Sequence, residues 1–388
     1  MKPSDASSKV KYAIRDVVLE AKKEEAKGNK VLYLNVGDPA KFDFSPPKWI
    51  TEEIKKALDG PYKSYAFSTG DEELRKEIGK VEGCDESQVF VTAGLSEGID
   101  FATRIFMDEG DSILLPNPTY PLYVSKTNVI EGEPRFYECD ESWVPDPEDV
   151  RKKIDETTRA LVIINPNNPT GAIAPLKVLK ELGDIAAEHN LPVFADEVYD
   201  HVVLDEDAEM HKMKDLVRDV PVFSGNSLSK NFFYPGARVG YVAIHNDFEG
   251  EFLDAFTRMC NQRLSVNWEF QRGAIEAYRN GFGFIGPYLE KLRRRRDILC
   301  KRLNEIPGLS VARPRAAMYG FVRVEGYDGS DWDFVYQLLR EEGVLVVPGS
   351  AFYKNHPEEL YFRTTLLPDD DTMELALGKL ESFMNRTV

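Results

Sequence analysis

Cysteine and histidine are scarce in this chain of 388 residues, which has four of the first and five of the second. Cys84, Cys139, Cys260 and Cys300 show no Cys-x-x-Cys spacing, and no histidine pair stands at ligand spacing with them. A disulfide scaffold and a structural metal site are therefore excluded as expectations, and each thiol reads as a small buried hydrophobe. Long apolar runs are also missing: nothing approaches the roughly 20 uninterrupted apolar residues of a membrane span. No repeat and no low-complexity tract appears, which sets solenoids and propellers aside. The opening Met1-Lys2-Pro3-Ser4-Asp5 carries no basic-then-apolar leader, so the expected location is the cytoplasm. Positive charge is in deficit, with 49 Lys and Arg against 66 Asp and Glu and a net charge of -17. Such a balance repels a phosphate backbone and argues against nucleic acid as a partner.

What is present is the composition of a packed chain, 42% hydrophobic and 30% charged, and too long for one core. Short apolar runs at Val89–Thr92, Ser112–Leu115, Pro134–Tyr137, Ala160–Ile164, Pro192–Ala195, Pro221–Ser224 and Gly240–Ile244 read as strands. Several are continuously apolar, as strands covered on both faces must be, and amphipathic helix patterns such as Pro175–His189 fill gaps between them. The fold class is therefore α/β: a three-layer sandwich around a mostly parallel seven-stranded sheet, spanning residues 46–285. Residues 6–27 read as one amphipathic helix ending at Gly28-Asn29. Beyond Pro287, a basic helix leads to strand-like pieces at Gly320–Val324 and Leu345–Val347 and a final helix near 370–386. Residues 1–45, an N-terminal arm, and 286–388 are expected to combine into a smaller α+β domain. The run Arg293-Arg294-Arg295-Arg296 reads as a solvated helical stretch, because successive helical residues point in different directions.

Chemistry concentrates at three strand ends. Asn165-Pro166-Asn167-Asn168-Pro169-Thr170-Gly171 follows the strongest apolar run, at the carboxyl edge where open α/β sheets bind ligands. The next run ends in Ala195-Asp196-Glu197-Val198-Tyr199, and the one after leads to Ser224-Gly225-Asn226-Ser227-Leu228-Ser229-Lys230. A carboxylate there is costly unless a cation meets it, and a desolvated lysine becomes a nucleophile able to form a Schiff base. Two readings stay open on spacing alone: an internal Asp196–Lys230 salt bridge, or a cofactor whose protonated pyridine nitrogen faces the acid. Val91-Thr92-Ala93-Gly94-Leu95-Ser96-Glu97-Gly98 passes from strand through glycine into a helix, whose N-terminus suits an anion.

These motifs, together with Asn35-Val36-Gly37-Asp38-Pro39, Arg238 eight residues after Lys230, and Phe362-Arg363, closely resemble fold-type I pyridoxal-phosphate aminotransferases, the aspartate aminotransferase superfamily. The resemblance runs from about Tyr12 to the C-terminal helix. It is nearest to the alanine aminotransferase-like group, on Tyr12-Ala13-Ile14-Arg15-Asp16-Val17-Val18, the Glu24 to Gly37 segment, and Ala195–Asp200 with its acidic continuation. It implies a pyridoxal 5'-phosphate cofactor held by Lys230, with Asp196 keeping the ring nitrogen protonated and Asn168 and Tyr199 bonding the phenolic oxygen. Gly94, Leu95, Ser96, Ser227 and Arg238 would cradle the phosphate, and Tyr120 would stack on the ring. Tyr65 resembles a residue that reaches the neighbouring subunit's phosphate, which implies a homodimer with shared active sites. Arg363 would clamp the substrate α-carboxylate, and Gly37 and Asn168 would border the substrate. Tyr12 and Arg15 on the N-terminal segment are further substrate-side candidates, and Arg263 is a second candidate cation. The implied reaction is ping-pong exchange of an α-amino group between an L-amino acid, alanine or glutamate, and a 2-oxo acid, pyruvate or 2-oxoglutarate. Aspartate or aromatic specificity, or a lyase or synthase on the same fold, are the nearer alternatives. An aminotransferase-like regulatory domain would need a DNA-binding module that the sequence does not offer. For single motifs the plainer readings are turn-making for Asn168, core packing for Tyr199, a solvent-facing strand for Arg363, and a structural arginine at position 15 or 263.

Overall fold

The computed structural model describes residues 4–10, 13–354, 356 and 358–388. Its strands in chain order are β1 (Leu32–Tyr33), β2 (Val89–Thr92), β3 (Ser112–Asn117), β4 (Glu133–Glu138), β5 (Thr158–Ile164), β6 (Val193–Asp196), β7 (Val222–Ser227), β8 (Gly240–His245), β9 (Leu309–Val311), β10 (Tyr319–Val324), β11 (Val344–Leu345), β12 (Val347–Pro348) and β13 (Leu360–Thr365). Seven of them form one sheet in the order β2-β8-β7-β6-β5-β3-β4. All its pairings are parallel except those of β8, which runs antiparallel to both β2 and β7.

Both faces of this sheet are covered, which is why its strands read as unbroken apolar runs. On one face Val162 and Phe194 pack with Leu95, Ile99 and Phe256. On the other, Leu161, Ile163, Val193 and Ala195 pack with Leu179, Leu182 and Ile185. The last three share a stripe on the helix Leu176–Glu188, at the three-residue spacing that puts side chains on one face. Each such fully buried aliphatic side chain contributes about 1.5–3 kcal/mol relative to exposure.

The two ends of the chain form a second layered unit. β9, β10, β12 and β13 make a four-stranded antiparallel sheet, and β1 pairs parallel with β11. Val17 and Ala21 from the N-terminal helix share a core with Leu338, Leu380 and Phe383 from the C-terminal third. Two expectations need correction here. The helix over 6–27 is broken into Asp5–Ser8 and Ala13–Ala26, with Lys9 and Val10 outside both. In the first turn Ser7 Oγ donates to Ser4 O, the kind of local bond that competes with continuing a helix. The strand over 345–347 is two strands, since Leu345 pairs with Tyr33 and Val347 with Arg363.

The four arginines on the helix Gly286–Glu305 are also not a uniformly solvated run. Arg295 and Arg296 are 1% and 2% exposed. Arg295 forks onto Asp43 with two bonds of 2.9 Å, and Arg296 donates to Asp205 at 2.6 Å. Burial of a guanidinium is tolerated because each is met by carboxylates and a carbonyl. Cys260 and Cys300 are buried as expected, while Cys84 and Cys139 are partly exposed, and all four are free thiols. Among the described residues, no helix is long and apolar enough to cross a membrane.

Candidate active site

A cleft of about 570 Å³ opens where the carboxyl ends of β5, β6 and β7 face the terminal unit. Its walls include Gly37, Leu95, Ser96, Tyr120, Asn168, Asp196, Tyr199, Ser227, Lys230, Arg238 and Arg363, together with Arg15 at the mouth. Strand geometry explains the convergence: Ile164 pairs with Asp196 and Asp196 with Gly225, so the turns that follow emerge side by side.

Asp196 is 3% exposed, and its carboxylate accepts from Tyr123 Oη at 3.0 Å and from the amide of Val198 at 3.4 Å. Burial pushes its pKa up to about 6, against the pull of those two bonds. Among the described residues no lysine or arginine pairs with it. The salt-bridge reading of Asp196 and Lys230 is thus not met, because Lys230 Nζ instead donates to Gly37 O at 2.5 Å. Tyr123, on the helix Pro121–Val129, was not apparent from sequence; the only signal is its place three residues after Tyr120, on the next turn of that helix.

The turns that carry Asp196 and Lys230 are braced from behind. Asn226 Nδ2 donates to Glu197 O and to Asp200 Oδ1, both at 3.0 Å, and Asn231 Nδ2 donates to Asp200 Oδ1 at 2.6 Å. Beyond them Lys212 pairs with Glu82 at 2.9 Å and Asp200 at 3.1 Å. Burial and the neighbouring Glu82 and Asp200 push the Glu197 carboxyl up to about 8, although Lys212 opposes them. This buried network was invisible in sequence because its members are scattered over residues 82 to 231.

The helix Leu95–Phe106 starts at the cleft with no side-chain cap, since its N-cap is Gly94 at φ +72°. That leaves first-turn amides facing the opening, where an anion is stabilised. A side chain at Gly94 would strike the guanidinium of Arg238, which donates to Ala93 O at 3.0 Å. Arg263 lies outside the cleft wall: it pairs with Glu97 at 3.2 Å and donates to Val91 O at 2.9 Å. Glu97 in turn accepts from Ala93 N at 2.9 Å, so Arg263 acts structurally on the same turn.

On the opposite wall Arg363 is buried on β13, and the solvent-facing reading of its strand is overturned. It donates to Asn168 Oδ1 at 3.1 Å and Asn35 O at 2.8 Å, and lies over the rings of Tyr319 at 4.3 Å and Phe352 at 4.7 Å. Tyr199 is buried, with its hydroxyl 2.9 Å from that of Tyr319. Burial and that second phenol hold its pKa well above the usual range. Tyr319 was also missed, as one aromatic within the strand-like piece Gly320–Val324 and its margin. Tyr65 is 78% exposed and away from this cleft. Tyr12 lies outside the described residues.

The site's features fit pyridoxal phosphate: a buried acid that no lysine or arginine among the described residues meets, a helix N-terminus without a side-chain cap, and a lysine on the neighbouring strand end. The chain matches the family described as aminotransferase class I and II over residues 29–380. It is 35% identical to the glutamate-pyruvate aminotransferase AlaA of Escherichia coli, covering 99% of each chain. It is 36% identical to the alanine aminotransferase of Mycobacterium tuberculosis, covering 97% of this chain and 90% of that one. The solved alanine aminotransferase of Pyrococcus furiosus superposes with a TM-score of 0.95 at 39% identity, over 99% of this chain and 100% of that chain. With a match of this extent on a sheet and cleft of this form, the chain belongs to the class I and II aminotransferases.

Proposed function

We propose that the chain is a pyridoxal-phosphate-dependent enzyme moving the α-amino group between L-alanine or L-glutamate and pyruvate or 2-oxoglutarate. The observation that carries the cofactor reading is Asp196, a buried carboxylate that no lysine or arginine among the described residues meets, one strand away from Lys230. When bound, the cofactor supplies a cationic conjugated ring that takes up the electron pair left as the substrate Cα–H bond breaks.

The chain's own residues do the rest. Lys230 would hold the cofactor covalently, and its ε-amine, when free, would carry the substrate Cα proton. Asp196 would provide the countercharge for the ring nitrogen, and Asn168 and Tyr199 would bond the phenolic oxygen. Leu95, Ser96, Ser227 and Arg238 would hold the phosphate with Gly94 as the open turn, and Tyr120 would offer its ring to the cofactor's. Arg363 grips the substrate α-carboxylate beside Gly37, a position at which a side chain would overlap the Tyr319 hydroxyl. Arg15, exposed at the mouth, meets the second carboxylate of glutamate and leaves room for the methyl of alanine.

Under the same reading the chain divides at about residues 45 and 285 and works as a homodimer in the cytoplasm. Support for the dimer comes from Tyr65 and Phe67, large aromatics 78% and 72% exposed on one segment. Support for the location comes from four free thiols, as a reducing compartment keeps them. Alanine specificity is favoured because the named relatives use alanine or pyruvate.

The decisive experiment is a rapid-mixing screen of the purified, coloured enzyme against alanine, aspartate, glutamate and phenylalanine. Fast loss of the visible band with alanine and glutamate only is the expected result. A fast reaction with aspartate or phenylalanine in place of alanine overturns the substrate assignment, and protein that takes up no cofactor overturns the whole reading. Sedimentation at twice the chain mass is expected for the dimer.

A further inference from the structure

Tyr319 comes to the cleft from β10 of the terminal unit, whereas Tyr199 and Lys230 stand on the turns after β6 and β7. Its ring is buried edge-on to Tyr199, at 83° and 5.9 Å between centroids, and the Arg363 guanidinium covers its face. Its hydroxyl is 2.9 Å from that of Tyr199 and fills the place a side chain would take at Gly37. Gly37 is the residue whose carbonyl accepts from Lys230 Nζ at 2.5 Å. The charged groups facing the phenol are therefore Lys230 and Arg363, with Tyr199 as its titratable neighbour. Burial pushes the phenol up, but those two cations and the hydrogen bonds from Lys230 and Tyr199 outweigh it and hold the phenol below its ordinary range.

An ammonium has donors only, so toward Lys230 the Tyr319 oxygen accepts. The Tyr199 hydroxyl donates to the same oxygen, so the Tyr319 oxygen accepts from both sides. We propose that Tyr319 is a positioning residue for proton transfer, holding the free ε-amine of Lys230 and the hydroxyl of Tyr199 in one hydrogen-bonded chain between the two units. The proposal rests on the reading of Lys230 as the group that carries the substrate proton. It assigns to the terminal unit a part in setting up the base as well as in gripping the substrate carboxylate.

Tyr319→Phe tests this, because it removes one oxygen and keeps the ring beneath Arg363. The first readout is the pH titration of tyrosinate ultraviolet absorbance in the full chain stripped of cofactor. One phenol ionising below the other tyrosines is expected in the parent, absent in Tyr319→Phe and moved upward in Lys230→Ala. A titration that Lys230→Ala leaves unchanged overturns the proposal, whatever the cofactor. The second readout is the half-reaction of the loaded enzyme with amino acid. Its maximal rate is expected to fall roughly 10- to 100-fold in Tyr319→Phe, with half-saturation held within about threefold and a larger isotope effect from Cα-deuterated substrate. Rate and half-saturation worsening together, with no change in isotope effect, would mark a merely structural tyrosine and overturn the proposal. If the parent itself takes up no cofactor, the functional reading fails, and the tyrosinate titration still decides the hydroxyl chain.

Discussion

Asp196 and Lys230 are neighbours in space with opposite needs, and each makes a prediction of its own. The Asp196 carboxyl is raised to about 6 in the cofactor-free fold, above its ordinary 3.8. Its protonated form is therefore the one the fold favours. The stabilisation it gives is fully present below the unfolded value and lost as pH rises through about 6. Cofactor-free Asp196→Asn is accordingly expected to be more stable than the parent at alkaline pH, by roughly 2–3 kcal/mol. The two should converge under acid, and paired melting curves across pH check this. Under the proposed function the order of merit reverses with cofactor bound, because an amide would not serve a protonated ring nitrogen as a counter-ion. Lys230→Ala is expected to keep affinity for pyridoxal phosphate through the anion-binding turn while losing turnover by several orders of magnitude. Equilibrium dialysis alongside an assay separates the two effects.

Strand β8 and the helix Leu95–Phe106 show how little slack the turn at Gly94 has. A Cβ at Gly240 would stand 2.6 Å from Leu95 N and 2.7 Å from Gly94 C, backbone atoms that cannot swing aside. Gly240→Ala is therefore expected to lower stability by about 1–3 kcal/mol and to weaken pyridoxal-phosphate binding at least tenfold, measured by melting and by fluorescence titration. The strands of the large sheet were legible in the sequence because burial on both faces demands continuous apolar runs, as in Leu161 to Ile164. β13 was not legible, since Tyr361, Arg363, Thr364 and Thr365 are buried polar or amphipathic residues whose partners lie far off in the chain. The lysine, the acid and the asparagine loop stood out because each punctuates a strand end. Tyr123, Tyr319 and the Glu82–Lys212 pairing did not, because no local pattern marks a residue whose role depends on a tertiary neighbour.

At the scale of the whole molecule, the loop after β6 fastens the large sheet to the terminal unit. Asp205 accepts from Arg296 at 2.6 Å, Arg313 at 3.1 Å and Arg315 at 3.2 Å, and the Leu204 amide donates to Arg315 O at 2.8 Å. Asp205→Ala strips the buried Arg296 of one carboxylate and leaves it with Asp297 and the Pro314 carbonyl. The expected loss is about 2–3 kcal/mol, short of a fully orphaned buried charge because those partners remain. A melting curve that does not move would refute the fastening role. The parallel pairing of Leu32 with Val344 has a consequence for biogenesis. On the ribosome, Leu32 and Tyr33 must wait without their strand partner until Val344 and Leu345 have emerged. The sheet bearing Lys230 has all its strands by then, so the large unit can mature before the terminal unit is stitched shut.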